Sequence, residues 1–238
     1  MKQKTTLLLL SILLTQAVSA EMGNPEDVPN ARRIRIDANL RREWDNVEWA
    51  PLSHSLDGQA VNISNAFWSI QWNDDPALFI AVRYDDADPV LQDSFVNSNT
   101  QDCVEIYVRG DNGSEPLDYS KTQVSAQHYI FGLSKDKTTV WKKLANIDPF
   151  PFHNPAKAAI TLDGKSFIYE IRIPIYDEFY AKARRDCETT EVMEALEIGV
   201  DITLVDVGST GYAGRKSENT MAGKANNADA IALHTLGE

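Results

Sequence analysis

The chain has 238 residues, 35 acidic against 23 basic, for a formal net charge of −12. That balance excludes nucleic acid and anionic membrane surfaces as partners, since both require a basic footprint. It is compatible with divalent cations as guests and, more commonly, with a plain solvated acidic surface. Residues 1–20 read as an export signal. Lys2 and Lys4 make a basic start, Leu7 to Leu14 is an apolar run broken only by Ser11, and Val18-Ser19-Ala20 is a small-residue cleavage site. The run is shorter than the roughly 20 residues of a bilayer span. The mature chain is therefore expected to be secreted or periplasmic, without membrane insertion.

Residues 21–32, with Pro25 and Pro29, read as a linker, and residues 33–238 as one domain of a size common among all-β folds. Arg33 to Asp37 alternates as a first strand does, and Leu40 to Trp49 is a turn or short helix carrying Trp44 and Trp49. Ala66 to Trp72 and Leu78 to Tyr84 are strands around the turn Asn73-Asp74-Asp75-Pro76. Cys103 to Arg109 places Val104, Ile106 and Val108 on one face and Cys103, Glu105 and Tyr107 on the other, a face suited to a polar ligand.

Ala126 to Leu133 and Thr138 to Lys142 form a hairpin around Ser134-Lys135-Asp136-Lys137. A second hairpin turns at Asp163-Gly164 between Ala158 to Leu162 and Ser166 to Ile173. Asp177 to Leu196 has helix formers and neither Gly nor Pro, which predicts a short helical insertion after Pro174. Ile198 to Leu204 alternates, Val207 to Asn227 reads as a long loop, and Ala230 to Leu236 closes the chain. Many short strands with turns between them predict an antiparallel β-sandwich of the immunoglobulin or jelly-roll kind.

Two oxygen-rich loops have the ligand chemistry of calcium, Asp85-Asp86-Ala87-Asp88 and Asp111 to Glu115; turn chemistry favours the same residues without a metal. Trp141, in a polar stretch beside Lys142 and Lys143, is the tryptophan most suited to an exposed stacking role, and Tyr129 is a second candidate ring. Cys103 and Cys187 are the two cysteines, and spacing leaves open whether they pair. The four histidines have no metal-ligand spacing, and no nucleophile or phosphate-loop motif is present.

The order of several blocks carries a family resemblance. Ile36-Asp37-Ala38 precedes Trp44-Asp45; the strand pair from Trp72 to Asp86 leads to Asp102-Cys103-Val104-Glu105-Ile106-Tyr107-Val108; Tyr169-Glu170-Ile171-Arg172-Ile173-Pro174 and Ile198-Gly199-Val200-Asp201 follow. This resembles the family 9 carbohydrate-binding modules and the wider DOMON-like sandwiches, from about residue 33 to the C-terminus. The resemblance implies a non-catalytic sugar-binding sandwich with structural calcium, working beside separate glycoside hydrolases in polysaccharide breakdown.

On the family pattern Glu105 matches the sugar-binding Glu, and Asp206 falls where an Asp follows the later strand. The two clamping tryptophans of the family have no counterpart: Asn97-Ser98-Asn99-Thr100 and Glu218-Asn219-Thr220-Met221 stand in their places, and His128 and Tyr129 lie near the place of a basic group. The ligand-binding set expected from the sequence is thus Glu105, Tyr129, Asp206, Trp141 and Asn99, with Asp85, Asp86 and Asp88 as the metal set. DOMON-like sandwiches also include b-type haem carriers, which would use Met221 with Lys224 or His128. A glycoside-hydrolase component is the remaining alternative.

Overall fold

A computed structural model describes residues 27–31, 33–56, 62–110, 123–124, 126–145 and 147–237; the expected export signal and the loop 111–115 lie outside them. In chain order the strands are β1 (Asp27–Val28), β2 (Ala50–Pro51), β3 (His54–Ser55), β4 (Ile63–Trp72), β5 (Ala77–Asp86), β6 (Cys103–Arg109), β7 (Gln123–Val124) and β8 (Ala126–Leu133). They continue as β9 (Val140–Leu144), β10 (Lys157–Asp163), β11 (Ser166–Pro174), β12 (Tyr176–Tyr180), β13 (Glu188–Thr189), β14 (Glu197–Gly208), β15 (Gly211–Ser217) and β16 (Leu233–Leu236).

Two large sheets form. One has eight strands, ordered β1-β16-β14-β6-β8-β9 with β15 and β3 continuing from β14; the other has five, ordered β10-β11-β5-β4-β2. The named long strands all pair antiparallel, and only the short edge strand β1 runs parallel to its neighbour β16. Their facing sides make one core. Trp68, Ile70, Leu78, Ile80 and Val82 come from the five-stranded sheet, and Val104, Ile106, Phe131, Ile202 and Leu204 from the larger one. The architecture is therefore the all-β sandwich that strand alternation predicts.

Residues 33–49 do not form the predicted first strand; they cross the outer face of the five-stranded sheet. Trp44 packs on Phe79 and Ala81 there. One buried carboxylate ties the segment down. Glu170 on β11 accepts from the backbone N–H groups of Asp37 (2.9 Å) and Asn39 (3.2 Å) through Oε2, and from Trp44 Nε1 (2.8 Å) through Oε1. Ala38 between the two amides has φ 56°, a left-handed conformation that costs a side-chain-bearing residue roughly 1–2 kcal/mol. The blocks Ile36-Asp37-Ala38, Trp44-Asp45 and Tyr169-Glu170 are thus two halves of one clasp.

Three expectations change. The segment 177–196 is not helical: β12 and β13 pair with each other, β12 also pairs with β7, and one 3-10 turn, Arg184–Asp186, lies between β12 and β13. Burial of Tyr176 and Phe179, whose rings sit 5.0 Å apart, outweighs helix propensity here. The long loop expected at 207–227 contains β15, which pairs with β14 from Thr203↔Ser217 to Gly208↔Gly211. The end of the expected linker supplies β1. Cys103 and Cys187 are both free thiols.

Replacing Glu170 by alanine strands a buried indole N–H and two amides and leaves the Ala38 turn unsupported. The expected loss is about 2–5 kcal/mol of unfolding free energy, read as a lower urea midpoint with an unchanged slope. A variant as stable as the wild type would show that the clasp is incidental.

Candidate functional site

The outward face of β6 carries Cys103, Glu105, Tyr107 and Arg109, because Val104, Ile106 and Val108 are taken by the core. Segments before β6 and after β15 roof this face. Cys103 Sγ contacts the Ser98 carbonyl, and Lys224 reaches in to bond Asp201 and Ser217. A concave cavity of about 220 Å³ remains, with Glu105, Tyr107 and His128 at its floor and Ser98, Arg215 and Lys224 in its walls.

Glu105 is only 2% exposed. Tyr107 OH donates to its Oε2 at 2.8 Å, Arg215 Nε lies at 3.6 Å and His128 Nε2 at 3.8 Å. Burial alone would push this carboxyl up, but its charged and hydrogen-bonding neighbours outweigh burial and hold it below the usual carboxylate range. His128 stacks on Tyr107 with ring centroids 4.1 Å apart, and burial pushes its imidazole down, toward the neutral form. Arg215 is fixed from its other end, where Nη2 donates to Asn99 Oδ1 (2.8 Å) and Nη1 to Tyr212 OH (2.9 Å). The cavity thus offers one ionised acceptor with the Arg215 guanidinium and the His128 imidazole beside it.

Of the ligand-binding set, Glu105 lies in the cavity and Asn99 at its rim through Arg215. Trp141 shares the Glu105 face. Its ring lies over Gly132, where an added Cβ would come within 1.9 Å of it, and packs against Phe95. Tyr129 does not belong there: it is fully buried in the core, its hydroxyl accepting from Asn154 Nδ2 at 2.9 Å, so its ring has no face to offer a ligand. Asp206 also leaves the set, because it points inward at one end of the sandwich.

Asp206 meets Asp86 and Asp102 there, one carboxylate oxygen from each lying within 4.8 Å of the others. All three side chains continue the inward alternation of their strands just past the last core residues, Tyr84, Val104 and Leu204. Asp102 accepts from Val207 N (2.8 Å) and Val90 N (2.5 Å), and Asp206 Oδ2 from Asn62 N (2.5 Å). Asp86 Oδ2 and Asp206 Oδ1 are buried without a hydrogen-bond partner. Orphaned, inward-aimed carboxylate oxygens are a ligand set suited to a hard divalent cation.

Of the metal set read from sequence, the structure brings Asp86 alone into this cluster. Asp88 instead caps a turn, accepting from Ser209 N at 2.7 Å. Asp85 faces the opposite side, held by Asn65 and Ser166. The sequence reading missed Asp102 as a member of the acid cluster, and Arg215, Lys224 and Tyr107 as cavity residues. Asp102 was open to detection, since it stands two positions before Val104 on the core face. Arg215 was not, because the strand that carries it is rich in glycine. The haem alternative loses its amine: Lys224 is buried in its pairing with Asp201.

Comparison with known proteins adds two findings. The family model described as carbohydrate family 9 binding domain-like matches residues 36–230. Two solved structures of a family 9 carbohydrate-binding module from Caldicellulosiruptor kristjanssonii superpose on the chain. The glucose complex does so with a TM-score of 0.65 and 17% identity over 89% of this chain and 96% of that one. The cellotriose complex gives a TM-score of 0.61 and 18% identity over 88% and 92%. At such identities the likeness is one of fold. No curated protein matches the chain.

The acid cluster makes stability depend on pH. Burial first, then Asp86, pushes Asp102 from 3.8 up to about 8. Below about pH 4 the acid is protonated folded or unfolded; above that, only the unfolded chain releases the proton, so stability falls as pH rises toward 8. Glu218, raised to about 7 by burial, adds a slope of the same sign. Melting of chelator-treated protein is expected to weaken steadily between pH 4 and 8, with a shallower decline in Asp102→Asn. A flat or rising profile would contradict a protonated cluster.

Proposed function

Because this chain belongs to the carbohydrate family 9 binding domain-like family, we propose that it is a secreted, non-catalytic protein holding one sugar ring in the Glu105 cavity. One observation carries the reading: Glu105 is kept ionised at the floor of a concavity of about 220 Å³. Sugar hydroxyls both donate and accept. A carboxylate accepts from two of them in charge-assisted bonds, while Arg215 and the imidazole of His128 supply the complementary donors. Among the described residues no aromatic face is laid open in this cavity, so hydrogen bonds rather than ring stacking supply most of the affinity.

Calcium completes the proposal. Asp86, Asp102 and Asp206 would hold it, and it would neutralise three carboxylates whose burial otherwise requires protons. It would also secure the segment from Asp86 to Asp102, which brings Ser98 and Asn99 to the cavity. The export signal supports action outside the cytoplasm, and the family supports a place in polysaccharide breakdown beside separate glycoside hydrolases. The solved relatives were captured with glucose and cellotriose, so glucose and its short oligomers head the ligand panel.

Calorimetry against glucose, cellotriose, xylan and marine oligosaccharides is expected to show binding to at least one, and Glu105→Gln to weaken it about tenfold or more. Absence of heat across the panel would overturn the reading. Calcium a hundredfold above its Kd is expected to raise the melting temperature by about 5–10 °C over chelated protein. Asp102→Asn should lose most of that rise; no shift on adding calcium would remove the metal from the proposal.

A further inference from the structure

The outer face of the five-stranded sheet is only half covered. The Glu170 clasp lays residues 33–49 over the end that carries Phe79, Ala81 and Glu170. Among the described residues nothing covers the other end. Phe67, Arg83 and Ile168 form a row there across β4, β5 and β11, and Asp85 and Ser166 form the next row. A depression of about 340 Å³ lies over them, within the range of small-ligand clefts, roughly 300–1,000 Å³.

The groups in it are prepared rather than loose. The Arg83 guanidinium sits 4.5 Å from the Trp49 ring centre and 5.3 Å from that of Phe67, linking two half-buried rings into one strip. Among the described residues no carboxylate lies within ion-pair distance of it. Asp85 is oriented by Ser166 Oγ (2.5 Å) and Asn65 Nδ2 (2.8 Å) with the exposed Lys165 Nζ at 3.4 Å, and the hydrogen bonds first, then Lys165, hold it below the ordinary carboxylate range. Asn65 reaches it from a strand irregularity with φ 49°.

We propose that this open half-face is a second sugar-binding surface, for a unit of a neutral polysaccharide chain. The chemistry selects against the other occupants. A fully apolar partner would strip water from Arg83 and Asp85 without replacing it, and an anion would meet Asp85. A neutral pyranose has an apolar C–H face for Phe67, hydroxyl hydrogens for Asp85 and hydroxyl oxygens for Arg83. The ligand class rests on the proposed function, yet the surface shares no residue with the Glu105 cavity and lies on the other sheet. Engagement of both by one long chain raises avidity without new contacts.

Affinity electrophoresis through gels containing soluble glucan, xylan or mannan separates the two sites. The expected result is that Glu105→Gln protein is still retarded by a polymer. Adding Phe67→Ala and Arg83→Ala should then weaken that retardation about tenfold, as loss of well-placed anchors does. Asp85→Asn serves as the milder variant should the alanine pair lower the melting temperature. Retardation by the same polymers that ignores Phe67, Arg83 and Asp85 overturns the second surface and leaves the cavity standing. Complete loss of retardation in Glu105→Gln alone does the same. No retardation of the wild type by any polymer, with no heat from oligosaccharides, overturns both.

Discussion

Three carboxylates buried at one end of the sandwich impose the strongest constraint on this protein. Two unit charges at 4.8 Å repel by about 3–4 kcal/mol even at an effective dielectric of 20, and each also loses its hydration. Asp86 comes from the five-stranded sheet, Asp206 from the larger one, and Asp102 from the residue just before that sheet's β6. Neutralising them therefore decides whether the two sheets close at that end. Asp102 also accepts from Val90 and Val207, so the state of the cluster passes directly to the segment that roofs the Glu105 cavity.

On the outer face of the five-stranded sheet Glu170 solves a related problem in the opposite way. Its carboxylate is buried, but three N–H donors meet it, which makes it a closed structural unit with nothing left for a ligand. Glu105 is intermediate. Tyr107 and Ser98 hydrogen-bond it, Arg215 and His128 stand a little beyond hydrogen-bond distance, and a cavity opens above. Satisfaction of the carboxylate, rather than its burial, distinguishes the acid that holds the fold from the acids that invite a ligand.

Among the described residues no tryptophan lines the Glu105 cavity, so the proposed recognition there rests on hydrogen bonding rather than stacking. Trp44, Trp68 and Trp72 are used for packing, and Trp141 is laid against Gly132 and Phe95. Half-exposed aromatic surface appears instead on the other sheet, where Trp49 and Phe67 flank Arg83. Polar and aromatic contributions that one cleft usually combines are divided here between two faces.

Alternation with period two determined much from sequence alone: the all-β class, most strands to within a few residues, and the outward placement of Glu105. Where both faces of a strand are apolar, as in Tyr129-Ile130-Phe131, that period carries no direction, and Tyr129 was misplaced for that reason. The 177–196 segment failed because local propensity is weaker than the burial of Tyr176 and Phe179. Which acids converge was decided only by tertiary structure. Asp85 and Asp86 are adjacent in the chain yet emerge on opposite sides of a sheet, while Asp86 and Asp206, 120 positions apart, meet. Strand geometry is local and periodic; the pairing that brings distant strands together follows from closing a whole core, and no short stretch of residues encodes it.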